Sequence, residues 1–226
     1  MSLSINKMSR VALGAALVAL APAIATAATT NKGVLTYATG LSSTNAALLL
    51  LGVDVNPIGA ATESGGLLSP TSFNLPITKV TTNATGLSSV AFGTSGLEFE
   101  KSFLIFSKEI DFNGLTFDFA TKTLSGKTGS STIGLFTAQS VTGSVTGGLS
   151  SGSFSYTASG LYLTSAAVSK ISSALGVSSL ALSKVNFGSL KITGAIPEPS
   201  TYALIGMGLA GAAFVARRRR AEEQVH

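Results

Sequence analysis

Residues 110–119 read Ile-Asp-Phe-Asn-Gly-Leu-Thr-Phe-Asp-Phe, with apolar and polar positions alternating on both sides of Asn113-Gly114. Alternation with period two marks a half-buried strand. Asn-Gly favours a type I′ turn, in which both central residues take positive φ. The pattern predicts a hairpin that pairs Phe112 with Leu115 and Ile110 with Phe117 on its buried face. Glu109, Asp111, Thr116 and Asp118 then share the polar face, with Glu109 nearly opposite Asp118. Phe103 and Ile105 are expected in the same core. Further runs of β-branched and aromatic residues predict strands over Gly33–Thr39, Ser72–Val80, Leu97–Phe106, Thr132–Ala138, Gly152–Ser159 and Leu182–Thr193. The Gly/Ser/Thr-rich stretch Leu124–Ser153 reads either as flat strands or as a mobile loop; the alternation of Val141 and Val145 favours strands, although small polar side chains specify register poorly.

Two segments break the alternation in the same way. LTYATGLSSTNAALLLLGV runs from Leu35 to Val53, and FSYTASGLYLTSAAVSKISSALGV from Phe154 to Val177. Each holds Gly-Leu-x-x-Thr followed by a small polar residue and Ala-Ala, and each closes on Leu-Gly-Val. Helices are predicted at Thr44–Leu51 and Thr164–Leu175, with Thr44 and Thr164 as N-caps and Gly52 and Gly176 as C-terminal stops. Duplication of one strand–helix unit and coincidence in a low-complexity chain both explain the likeness. The expected body, residues 28–195, is therefore mainly β: an antiparallel sandwich or partly closed barrel with two short helices.

The two ends of the chain follow a different pattern. Lys7 and Arg10 precede an uncharged apolar run from Val11 to Ala21, and Ala25-Thr26-Ala27 places small residues at both positions a signal peptidase checks. This predicts a signal helix in residues 1–27, cleaved after Ala27. At the other end, Pro197-Glu198-Pro199 leads into the uncharged stretch Thr201–Ala216, closed by Arg217, Arg218, Arg219 and Arg220. The prolines hold the step extended. The apolar stretch predicts a transmembrane helix with the arginines on the cytoplasmic face and residues 221–226 as a cytoplasmic tail. Gly206, Gly208 and Gly211 weaken that helix, which suits a temporary hold. Motif, span and basic stop in this order resemble the PEP-CTERM sorting tail over residues 196–220. The resemblance implies an exosortase-like membrane protease that recognises Pro197, Glu198 and Pro199. It further implies a transient stay in the inner membrane, then delivery to the cell surface or the extracellular space.

The formal charge of +5 and isoelectric point near 9.6 come mostly from these end signals. Residues 28–196 hold nine lysines against seven acids and no basic patch interleaved with aromatics, which argues against nucleic acid as a partner. No cysteine is present, so an exported domain of this length must be stabilised by burial alone. The single histidine is His226, in the tail, so the body has no His-based triad and no His-ligated metal.

The acids offer what chemistry there is. Glu109, Asp111 and Asp118 on one hairpin face are the candidate Ca²⁺ ligands. The expectation is a solvated face instead, with Lys108 and Lys122 as counter-charges and no metal or cofactor. Glu98 and Glu100, two apart on a strand, share a face and raise glycoside hydrolysis as an alternative. Neighbouring Lys101 points to surface. Within the body no serine stands three residues before a lysine, and no serine elbow has a downstream histidine to serve as base. Asn83-Ala84-Thr85 is an N-glycosylation tripeptide of a kind common by chance in Thr-rich sequence. The function expected from sequence is a non-enzymatic surface or matrix protein, with an association with exopolysaccharide or biofilm implied by the tail. The alternatives are a secreted carbohydrate-active enzyme, using carboxylates such as Glu98 and Asp118, and a calcium- or glycan-binding module.

Overall fold

The computed structural model describes residues 31–40, 43–66, 69–102, 106–149 and 152–196, together with Gly208. The signal segment with Ala25 and Ala27, the Pro197-Glu198-Pro199 step, Arg217–Arg220, Phe103 and Ile105 lie outside the described residues. Among the described residues, no helix is long and apolar enough to cross a membrane.

The chain builds β1 (Lys32–Thr36), α1 (Thr44–Leu51), β2 (Asp54–Ile58), β3 (Thr62–Gly66), β4 (Ser69–Pro76), β5 (Lys79–Asn83), β6 (Gly86–Ala91) and β7 (Gly96–Ser102). It continues with β8 (Ser107–Asp118), β9 (Thr123–Thr128), β10 (Ser131–Thr146), β11 (Ser153–Leu163), α2 (Ser165–Leu175), α3 (Ser179–Leu182) and β12 (Ser189–Ala195). All pairings are antiparallel, in the order β2-β7-β8-β9-β10-β11-β12-β1-β4-β3, with β6 joining β8 and β5 joining β6. The end strands β2 and β3 follow each other in the chain and touch without a ladder. The mainly β expectation thus resolves into a nearly closed, barrel-like sheet.

Strand β8 corrects the hairpin reading. Asn113-Gly114 is not a turn: the strand runs through it, and the register against β9 shifts between Asn113 and Thr116. Gly114 has φ 63°, the left-handed conformation of a bulge that inserts one extra residue. A bulge and a two-residue turn both shift the parity of buried positions, so the same alternation serves either. Phe112, Leu115 and Phe117 are fully buried, and Ile110 packs partly buried against the core. The residues before the bulge pair with β7, and Thr116–Asp118 pair with β6. The true reversal comes at residues 119–122, where Lys122 takes φ 54°.

The helices form where capping chemistry predicts them. Ser43, not Thr44, caps α1, its hydroxyl accepting from the Ala46 amide at 3.4 Å. Thr44 is fully buried and turned to tertiary use: its hydroxyl donates to the Asn186 carbonyl at 2.7 Å and accepts from the Ala38 amide at 2.9 Å. Thr164 caps α2 as expected, accepting from the Ala167 amide at 3.1 Å. Gly52 and Gly176 end the two helices in the left-handed conformation. Helix α2 buries Ala167, Val168, Ile171 and Leu175, whereas α1 leaves Leu49 and Leu50 exposed. The strand expected to begin at Leu182 begins at Ser189, because Ser178 caps a short helix first.

The core is organised by rings. Phe187, in the connection from α3 to β12, lies 4.7 Å from the Phe136 ring, 6.1 Å from Phe99 and 6.5 Å from Tyr37. Its backbone amide donates to the Leu161 carbonyl at 2.8 Å, so the ring is aimed by the ladder of β11. Gly188 follows at φ 85°, and a Cβ there would stand 2.0 Å from the Thr36 carbonyl oxygen. Phe187→Ala should destabilise the fold by about 3–5 kcal/mol, a large part of a domain's margin, as read by denaturant unfolding.

Candidate functional site

The acidic residues cluster, but not as the hairpin reading arranged them. Glu98 lies opposite Asp111, and Glu100 opposite Glu109, across β7 and β8. On the other side of β7, Glu100 faces Asp54 and Glu98 faces Asn56. The Asn56 side-chain amide donates to Glu98 Oε1 at 3.2 Å and to Glu100 Oε2 at 3.4 Å. Glu98 and Glu100 therefore share a face, as their spacing required. Asp54 and Asn56 complete it, and sequence reasoning missed them because Asp-Val-Asn-Pro-Ile carries too short an alternation to read as a strand.

Asp118 is not part of this cluster. It pairs with Ser89 and Thr123, seven positions along β8 from Asp111. That is roughly 20 Å of strand. The grouping of Glu109, Asp111 and Asp118 as calcium ligands is corrected by this geometry, as is any pairing of Glu98 with Asp118 across a cleft. Lys108 is opposite Lys101 rather than among the carboxylates. Its Nζ is 4.0 Å from where a side chain on Gly176 would begin, close to the negative end of α2. Among the described residues, no group of three or more His, Cys, Asp or Glu has the geometry to hold a metal ion.

Asp118 instead closes the β8–β9 turn. Its Oδ1 accepts from the Thr121 amide at 2.7 Å and from the Thr121 hydroxyl at 2.9 Å. These bonds favour the ionised carboxylate and lower its pKa, the backbone bond most. Asn83 behaves alike at the β5–β6 tip, where its Oδ1 accepts from Thr85 and Gly86. The glycosylation tripeptide is thus a turn-closing element.

One buried phenol stands apart. Tyr37 is 4 % exposed and packs edge-on against Phe73 at 5.3 Å, and its hydroxyl has no hydrogen-bond partner among the described residues. Burial, reinforced by Glu63 and Asp54, pushes its pKa far above the usual value, so the phenol stays neutral. Between α2 and α3 lies a shallow groove of about 570 Å³, carrying Ser165, Ser169, Ser172, Ser179 and Ser183. Two of its hydroxyls are bonded to their own helices, Ser172 to the Ser169 carbonyl and Ser183 to the Leu180 carbonyl.

The most extended polar feature is a hydroxyl array. Ser140, Thr142, Ser144 and Thr146 on β10 stand opposite Ser159, Thr157, Ser155 and Ser153 on β11. On β12 it meets Ser189 and Thr193, with exposed Lys191 between them opposite Thr157. Val141 and Val145 turn to the other face, against the core. Neighbouring hydroxyls sit about 5 Å apart across strands and about 7 Å along them. The alternation of Ser and Thr with other residues was the legible signal; the pairing of the two strands was not.

Asn31 and Ala195, at the two ends of the described body, meet at the end of the barrel away from the helices. The Asn31 side chain accepts from the Ala195 amide at 2.7 Å and donates to the Ala195 carbonyl at 3.4 Å. From that boundary onward, residues 195–220 match the family model of the PEP-CTERM protein-sorting motif. The chain carries a PEP-CTERM sorting tail. No curated protein and no solved structure matches the chain. The PEP-CTERM motif implies an exported protein sorted by an exosortase, a membrane protease, to the cell surface.

Two outcomes test the polar sites. Tyr37→Phe removes a buried hydroxyl without a partner and should raise stability, within the ~1–3 kcal/mol such groups cost. A fall in melting temperature would show that the hydroxyl is satisfied. For Asp118, the folded pKa lies below the ordinary 3.8. Its stabilisation is therefore complete above the unfolded value and is lost as pH falls through the folded one. Thr121→Val, which keeps the amide donor, should move the Asp118 carboxyl titration upward in NMR. A wild-type titration at or above 3.8 would reject the turn.

Proposed function

We propose that the barrel is a non-enzymatic surface or extracellular-matrix module, released from the inner membrane by an exosortase-like protease and associated with exopolysaccharide. The observation that carries this reading is the join between fold and tail. The sorting motif starts at residue 195, the last residue of β12, and the Asn31 clamp ties the start of the barrel to that point. A body tethered at that point holds its helical end and its sheet face clear of the membrane. The hydroxyl array of β10, β11 and β12 supports the polysaccharide partner. It offers hydroxyl donors and acceptors at regular spacing to a hydroxylated polymer, with the Lys191 ammonium of β12 as one charged donor among them. Glu98 and Asp111 are cross-strand neighbours, as a carboxylate pair would be, yet Asp111 is exposed on the outer face of the sheet.

Processing is tested by intact-mass measurement of the exported protein. The expected product starts just after Ala27 and lacks Arg217–Arg220. A product retaining both Ala203–Ala216 and the arginine run would overturn the release step while leaving membrane attachment in place.

A further inference from the structure

We propose that the free edge of β10, from Gln139 to Thr146, is an assembly surface that pairs antiparallel with the same edge of a second copy of this chain. Strand β10 is long, and its neighbours cover it unequally. Strand β9 pairs only with residues 131–137, whereas β11 pairs as far as Thr146. From Gln139 onward, every second residue directs its amide and carbonyl to a side where the described residues supply no strand.

The other open edges of the sheet carry features that discourage pairing. Strand β5 has Lys79 and a register shift between Thr81 and Thr82. Strand β2 has Pro57, and β3 has Glu63 and a register shift between Ser64 and Gly65. The part of β8 before its bulge, uncovered by β9, carries Lys108, Glu109 and Asp111. Charges, prolines and bulges are the usual protections of an edge strand. Gln139–Thr146 has no charge, no proline and no register shift against β11.

The occupant follows from self-compatibility. In an antiparallel pair, opposed residues share a face. A two-fold axis through Gly143 sets Val141 against the second copy's Val145 on the inner face. On the outer face it sets Thr142 against Ser144 and Ser140 against Thr146. No like charges meet, and the hydroxyl array runs on from one copy into the next. The inference rests on β10 alone and stands apart from the polysaccharide reading.

The chain has no native cysteine, which makes crosslinking selective. Two differently tagged full-length chains are co-expressed in the host, one with Thr142→Cys and one with Ser144→Cys. Cells and medium are then oxidised together with copper–phenanthroline. A disulfide-linked dimer bearing both tags is expected. It should be lost when Ser173→Cys, on the exposed surface of α2, replaces Ser144→Cys. It should also be lost when Ser140→Lys and Thr146→Lys are added to both chains, with the melting temperature of the lysine variant unchanged. Absence of the two-tag dimer, equal dimer from the Ser173 pairing, or its persistence in the lysine variant would overturn the proposal.

Discussion

The fold depends on one short segment, Asn186-Phe187-Gly188, where the chain returns from the helices to the sheet. Its three residues reach three parts of the structure. The Asn186 carbonyl accepts from buried Thr44 at the start of α1, and the Phe187 ring meets rings from β7, β10 and the end of β1. Gly188 lets the backbone pass against Thr36 where any side chain would collide. The Leu161 amide donates to the Gly188 carbonyl at 3.1 Å, which continues the β11 ladder into this connection. A nearly closed sheet without disulfides needs its interior filled at the point where strands and helices meet. Phe187 fills it.

The second constraint is the bulge in β8. By letting the strand run on instead of turning, Gly114 gives β8 different neighbours on its two halves, β7 before the bulge and β6 after it. That separation governs the polar chemistry. It draws Glu109 and Asp111 to Glu98, Glu100, Asp54 and Asn56, and it sends Asp118 to a distant turn. A hairpin at Asn113-Gly114 would have gathered three acids on one small face. The bulge spreads the carboxylates over three strands, where the Asn56 amide bonds two of them.

The twin segments show how similar sequences are put to different uses. Both form a helix ended by a left-handed glycine, and both lead from a strand flanking β12. Thr164 caps its helix while Thr44 bonds Asn186, because Ser43 is available to cap α1 whereas its counterpart Leu163, the last residue of β11, has no capping oxygen. Lysines of the β7–β8 pair approach both helix ends, Lys101 near Gly52 and Lys108 near Gly176, where cations are favoured.

The sequence by itself determined the local and end-of-chain features. Period-two alternation placed Phe112, Leu115 and Phe117 inside, cap and glycine signals bounded α1 and α2, and the PEP step with its apolar run and arginines marked the sorting tail. Each is a short-range signal, complete within a few residues. Strand pairing is a long-range choice, so β2, β3 and β6, which are short and poor in alternation, stayed hidden. Asn113-Gly114 was ambiguous because a type I′ turn and a glycine bulge both require positive φ. Only the tertiary structure chose between them, since burying Phe112 and Phe117 against β7, β6 and the ring cluster around Phe187 requires one continuous strand.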